Sequence, residues 1–249
     1  MSAVSPSAPQ SKTAMAPMPR RLTILTIVTV VSLLVGLALA LVLVGPDSTQ
    51  GDVQRLFYIH MPSFFGAFFA FAAAVIGGLG YLRTRNIKWD LLAASGVEVG
   101  LALSFVNLLT GAIWAKPIWN TWWTWDPRLT SAAVMCLTYA AYLMLRNAIE
   151  NPNQRRRFSA VYGILAFLTV IYTLVIIRIR PDTIHPTVIG ASPTNAEGTF
   201  EATVSTAAAL VPNLIIWGVL IPWTLIWHRL RLQNLIERVA LRRAEVNAE

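Results

Sequence analysis

Apolar residues in this sequence gather into long runs separated by short polar clusters, as in a chain that crosses a lipid bilayer several times. A helix rises about 1.5 Å per residue and the hydrocarbon layer is roughly 30 Å thick, so each crossing takes about 20 mostly apolar residues. Six stretches meet that requirement, at approximately 22–44, 57–82, 91–114, 129–145, 158–177 and 203–227. Lipid offers no partner to unpaired backbone groups, and the runs lack the alternation of barrel strands, so the spanning form is helical. The pattern therefore predicts an all-α polytopic membrane protein, a six-transmembrane-helix bundle over 22–228. A Ser-, Ala-, Pro- and Met-rich stretch over 1–21 reads as a disordered cytoplasmic tail. The segment 229–249 mixes Arg, Glu, Leu and Val at helical spacing and reads as a cytoplasmic helical tail, either a solvated basic end or a docking surface.

Charge supplies the orientation. With both termini inside, the cytoplasmic segments hold Lys12, Arg20, Arg21, Arg83, Arg85, Lys88, Arg146, Arg155, Arg156, Arg157, Arg229, Arg231, Arg238, Arg242 and Arg243. The outer side holds only Arg55, Lys116, Arg128, Arg178 and Arg180. The positive-inside rule then puts both ends in the cytoplasm and leaves outer loops at 45–56, 115–128 and 178–202. The net charge of +8 is thus a topology signal, not a nucleic-acid-binding face, because the cations sit between apolar runs. Composition agrees, with 55% hydrophobic residues, 13% charged and a mean hydropathy of +0.57. The chain has no phosphate-binding Gly-rich loop. Its one cysteine, Cys136, lies in an apolar segment, so it has no disulfide framework and no Cys-x-x-Cys-His attachment sequence for haem.

The candidate chemistry concentrates outside the lipid. Five of the nine tryptophans, Trp114, Trp119, Trp122, Trp123 and Trp125, fall within or beside the loop 114–128. An interfacial aromatic belt accounts for one or two of them. A run this dense, interleaved with Asn, Thr and Asp, suits a flat amphipathic platform for a large planar ligand, with indole N–H groups left for polar edges. Two of the three histidines lie on the same side, His60 at the start of the second span and His185 in the third outer loop. Either alone fits an interfacial hydrogen-bonding role, but together they suit the two axial positions of a haem iron. Haem propionates need cationic partners, for which Arg128 and Arg55 are best placed, followed by Arg178 and Arg180; each also fits a snorkelling interfacial arginine. Asp126 either caps the fourth helix, with Pro127 at its first turn, or organises the site through an indole N–H or Arg128. Glu98 and Asn107, polar residues within the third span, read as buried hydrogen-bonding links to other helices. His228, among arginines at the inner end, carries no functional expectation.

The run Trp119-x-x-Trp122-Trp123-x-Trp125-Asp126 resembles the tryptophan-rich signature of the haem-handling superfamily of cytochrome c biogenesis. The resemblance to its protein C branch covers nearly the whole chain: six spans, a histidine opening the second, the signature after the third and a second histidine between the fifth and sixth. Trp114-x-Lys116-Pro117 and Asp126-x-Arg128-Leu129-Thr130-Ser131 are also similar to that branch. Ala115 and Asn120 stand where glycines are common in it, and Pro127 is more typical of sister branches. The resemblance implies a non-enzymatic protein of the cell inner (cytoplasmic) membrane that binds haem b non-covalently on the periplasmic side and presents it to a periplasmic haem chaperone. It implies His60 and His185 as axial ligands and Trp119, Trp122, Trp123, Trp125 and Asp126 as the platform. Implied partners are an ATPase subunit, a second membrane subunit and a small one-span subunit, alongside membrane lipid. The alternatives are the core of a haem lyase that attaches haem to apocytochrome c, and a haem permease.

Overall fold

The structure is a computed structural model that describes residues 17–180, 182–187, 192, 196–197 and 203–246. Six helical segments are long and apolar enough to cross a membrane, matching the six runs read from the sequence. The first is α1 (Arg20–Ala38), continued by a π-helical turn over Leu39–Leu43. A short 3-10 turn, Asp52–Leu56, leads into α2 (Phe57–Thr84), and α3 (Ile87–Trp119), α4 (Pro127–Ala148) and α5 (Pro152–Ile179) follow. The sixth crossing is broken: α6 (Val204–Ile215) passes through a π-helical turn, Ile216–Leu220, into α7 (Ile221–Val246). Of the tail expected over 1–21, residues 1–16 lie outside the described residues, and Arg20 and Arg21 already belong to α1.

Local sequence explains the breaks between helices. Asn86, Asp126, Asn151 and Thr203 each accept a backbone N–H at the start of α3, α4, α5 and α6, and Pro127 and Pro152 occupy first-turn positions where a missing N–H costs nothing. The helix α3 runs five residues beyond the expected span, through Pro117 to Trp119, and stops where Asn120 turns left-handed at φ 55°. Glycine adopts that conformation freely and asparagine tolerates it, which suits Asn120 to the end of this helix.

The core forms around α2 and α3, which pack closely along their length. Their approach depends on small residues, as is general for helices in lipid. A methyl group at Gly96 would stand 2.6 Å from the Ala70 carbonyl oxygen. Phe71 of α2 stacks on Tyr139 of α4 with ring centroids 3.7 Å apart, and both are fully buried.

At the end rich in arginine, ion pairs tie the helices together. Asp90 of α3 receives a forked pair of bonds from Arg146 of α4, at 2.8 and 2.6 Å, with Arg156 of α5 at 3.8 Å. Arg156 also pairs with Glu237 of α7. Glu98 accepts from Arg229 at 2.6 Å and from Gln233 at 2.9 Å, so it links α3 to α7. The helix α1 is held against the sixth crossing by polar pairs, Thr29 with Thr224 at 2.8 Å and Thr26 with His228 at 2.9 Å. His228 is thus part of a helix-to-helix contact. The ion-paired end and the tryptophan-rich end lie at opposite ends of the bundle, and the candidate chemistry occupies the second.

Candidate haem-binding site

A cavity of about 260 Å³ opens at the tryptophan-rich end, between the N-terminal part of α2, the C-terminal part of α3, the start of α4, the end of α5 and the loop after it. Its walls are mainly apolar, from Phe57, Met61, Phe64, Ile118 and Ile177. Into this setting come His60, His185, Trp114, Trp119, Trp123 and Arg128, six of the ten site residues expected from the sequence.

The two histidines come together although 125 positions separate them in the chain. Their ring centroids are 6.4 Å apart with planes inclined at 36°. Two imidazole–metal bonds of about 2 Å each, plus the two ring radii, come to roughly 6 Å, so the spacing suits one metal ion between them.

Each ring is oriented by a bond at Nδ1. His60 Nδ1 lies 2.9 Å from the main-chain oxygen of Asn107, so it carries the proton and donates it. Asn107 Nδ2 donates back to the His60 carbonyl at 2.7 Å, and a methyl group at Gly111 would stand 2.8 Å from His60 Cε1. The Cε1 and Nδ1 atoms of the imidazole therefore lie close against α3 where that helix has no side chain. His185 Nδ1 donates to the Pro186 carbonyl at 2.8 Å. With Nδ1 protonated in both rings, Nε2 is the nitrogen that offers a lone pair, the arrangement that prepares a histidine for metal ligation. His185 is surrounded by protein even though the cavity leaves it partly accessible. Burial, with the cationic Arg128 and the second imidazole nearby, pushes it down to about 3, so it stays neutral at any physiological pH.

The tryptophan run divides in two. Trp114 packs edge-on to His60 with centroids 5.8 Å apart, and its Nε1 donates to Gln50 Oε1 at 2.9 Å. Trp119 packs edge-on to His185 at 6.1 Å. Trp114 and Trp119 belong to α3, not to the loop, and Trp123 completes the wall. Trp122 and Trp125 instead face outward, 58% and 77% exposed. Trp125 lies in a separate groove with Pro127, Tyr172 and Arg180.

The cations divide as well. Arg128 donates to the Thr173 carbonyl, and its guanidinium lies over the Phe64 ring at 5.2 Å. Arg55 is away from the cavity, paired with Asp52 at 3.0 Å and bonded to the Leu41 carbonyl. Arg178 lines the cavity and Arg180 pairs with Asp182 at 2.6 Å. Asp126 does not line the cavity. It caps α4 through Oδ1, 2.8 Å from Leu129 N, and accepts from the Thr183 hydroxyl through Oδ2 at 2.7 Å.

A family model described as heme exporter protein C matches residues 6–244. The chain belongs to the heme exporter protein C family. Relatives carrying that description include a protein of Bradyrhizobium diazoefficiens, 32% identical over 57% of this chain and 54% of its own length. One from Paracoccus denitrificans is 33% identical over 51% and 52%, and one from Escherichia coli K12 is 33% identical over 59% and 59%. The chain spans about half the length of the curated relatives it matches.

Some residues around this cavity carried little sequence signal. Asn107 stood out as a polar residue inside a span, and its bond to another helix is present, but nothing in the sequence pointed to His60 as the partner. Gly111 and Thr183 gave no signal, since a helical glycine and a loop threonine have many other uses.

Proposed function

We propose that this chain binds haem b non-covalently on the outer face of the cytoplasmic membrane, through His60 and His185, and presents it to a periplasmic haem chaperone during c-type cytochrome biogenesis. The observation that carries this reading is the pair of imidazoles 6.4 Å apart in one apolar cavity, each bonded through Nδ1 so that Nε2 keeps its lone pair for ligation. Trp114, Trp119 and Trp123 supply aromatic surface to the macrocycle, and Arg128 and Arg178 are the cations beside it for the propionates. Trp122, Trp125 and Arg55 fit better at the rim, against lipid or a receiving protein. The cavity is slightly smaller than ordinary ligand pockets of roughly 300–1,000 Å³, so part of the macrocycle would remain outside, where an acceptor reaches it.

The partners in this reading are an ATPase subunit, a second membrane subunit and a small one-span subunit of an ABC-type complex, with chemical work done elsewhere and this chain acting as carrier. The orientation rests on the arginine clusters at the opposite end, which the positive-inside rule assigns to the cytoplasm. That end also argues against a permease. Glu98 is bonded to Arg229 and Gln233, and Asn107 to His60, so these two polar residues inside the third span close helix contacts instead of lining a path through the bundle.

The test is a visible and electron paramagnetic resonance spectrum of the full chain in lipid nanodiscs after titration with haemin. A six-coordinate, low-spin spectrum that becomes five-coordinate in both His60→Ala and His185→Ala supports the reading. No haem uptake, or an unchanged spectrum in both variants, defeats it.

A further inference from the structure

The two histidines are held in different ways. His60 belongs to a long helix and its ring lies against a second helix, whereas His185 sits in an irregular segment with its ring bonded, among the described residues, to the next residue's carbonyl. What fixes the backbone of that segment is Thr183, fully buried two residues earlier. The Thr183 hydroxyl accepts the His185 N–H at 3.1 Å and donates to Asp126 Oδ2 at 2.7 Å. Asp126 in turn is fixed by its other oxygen at the first turn of α4. A continuous line of hydrogen bonds thus runs from the α4 N-terminus through Asp126 and Thr183 to the backbone of His185. A second tie comes from the other side, where Glu197 N donates to the Ile184 carbonyl at 2.9 Å and Trp119 Nε1 to the Glu197 carbonyl at 3.4 Å.

We infer that Asp126, the aspartate closing the tryptophan run, is a positioning residue that latches His185 opposite His60 through the Thr183 hydroxyl, and does not itself touch haem. This rests on the haem-binding reading above. A carboxylate suits the role because its two oxygens accept from two donors at once, one on the helix and one on the loop. The latch also makes the two ligands unequal. His60 stays with the bundle, while His185 depends on loop hydrogen bonds, of which the Thr183 hydroxyl supplies the one to the α4 N-terminus, and this is the asymmetry a carrier needs in order to let go of its cargo.

The test uses the full chain in nanodiscs and three variants. Thr183→Val removes both hydroxyl bonds at nearly constant volume, Thr183→Ser keeps the hydroxyl, and His185→Ala is the reference for loss of the ligand. In haem-free protein, amide hydrogen exchange over 182–187 should rise about tenfold or more in Thr183→Val and stay near wild type in Thr183→Ser. After haemin titration, Thr183→Val should shift toward the five-coordinate spectrum of His185→Ala, recover the low-spin form on addition of imidazole, and lose haem to apomyoglobin faster than wild type. Thr183→Ser should restore the wild-type spectrum. Exchange and spectra unchanged in Thr183→Val overturn the latch, as does a Thr183→Ser variant as defective as the valine. Thr183→Ala serves where valine is not accommodated. If wild type takes up no haem, the haem-binding reading fails, and the exchange comparison in haem-free protein still decides the latch.

Discussion

Gly111 offers the sharpest test of how the site is built. An alanine there would place its methyl carbon 2.8 Å from His60 Cε1 and 3.1 Å from Nδ1. Carbon atoms rest at about 3.5–4.0 Å, so the ring has to retreat by roughly 1 Å. Its 2.9 Å bond to the Asn107 carbonyl would then stretch past the roughly 3.2 Å limit of a good N–H···O bond. Losing such an orienting partner typically costs a metal site 10- to 100-fold in affinity, or about 1.4–2.7 kcal/mol. Haemin titration in nanodiscs, followed by absorbance, should show a loss of that size. The same change should leave the fold intact, because alanine is favoured over glycine in a helix by about 1 kcal/mol. An unchanged or raised melting midpoint beside weakened haem binding is therefore the expected signature. In a His60→Ala background, Gly111→Ala should cost nothing further, since the contact it disturbs is gone. Affinity within about twofold of wild type, or an equal loss in both backgrounds, would refute the account of the His60 cradle.

Other perturbations separate the parts of the molecule. Trp123→Ala should weaken haem retention severalfold while Trp122→Ala, at an exposed position, should leave it nearly unchanged; haem occupancy after detergent extraction compares them. Arg146→Met leaves the buried Asp90 carboxylate to the more distant Arg156, and should destabilise the bundle by about 3 kcal/mol without altering the haem spectrum, as read from thermal unfolding in detergent. His185 is held neutral down to about 3 by burial and neighbouring positive charge, so its imidazole ¹⁵N shifts in haem-free protein should show no titration between pH 7.5 and 5. The sign for stability follows from the same depression. Below an unfolded-state value near 6.5 the unfolded chain binds a proton that the folded one refuses, so His185 contributes a progressive loss of stability as the pH falls from about 6.5 toward 3, and none above. A His185 midpoint near 6.5 in the folded protein would contradict its burial.

What could be read from the linear order of residues was the architecture, and the bilayer is the reason. Span length and hydropathy are one-dimensional requirements, so 22–44 or 158–177 announces itself without knowledge of any neighbour, and the cap at Asp126 was one of the two roles its place before Pro127 allowed. The identity of the two histidines as a candidate pair was legible too, from chemistry and shared side. Their meeting was not. It depends on the rotation of α2 against α3, set by close contacts such as Gly96 on Ala70 and Gly111 on His60, and on a loop pinned by Thr183 to the far side of the tryptophan run. The same applies to the division of the tryptophans. Trp114, Trp119 and Trp123 line the cavity while Trp122 and Trp125 face out, because α3 continues through Pro117 and turns left-handed only at Asn120. Helix formation is a local property of the chain, whereas which face of each helix meets which neighbour is settled by packing between residues far apart in sequence, and the site exists only at that level.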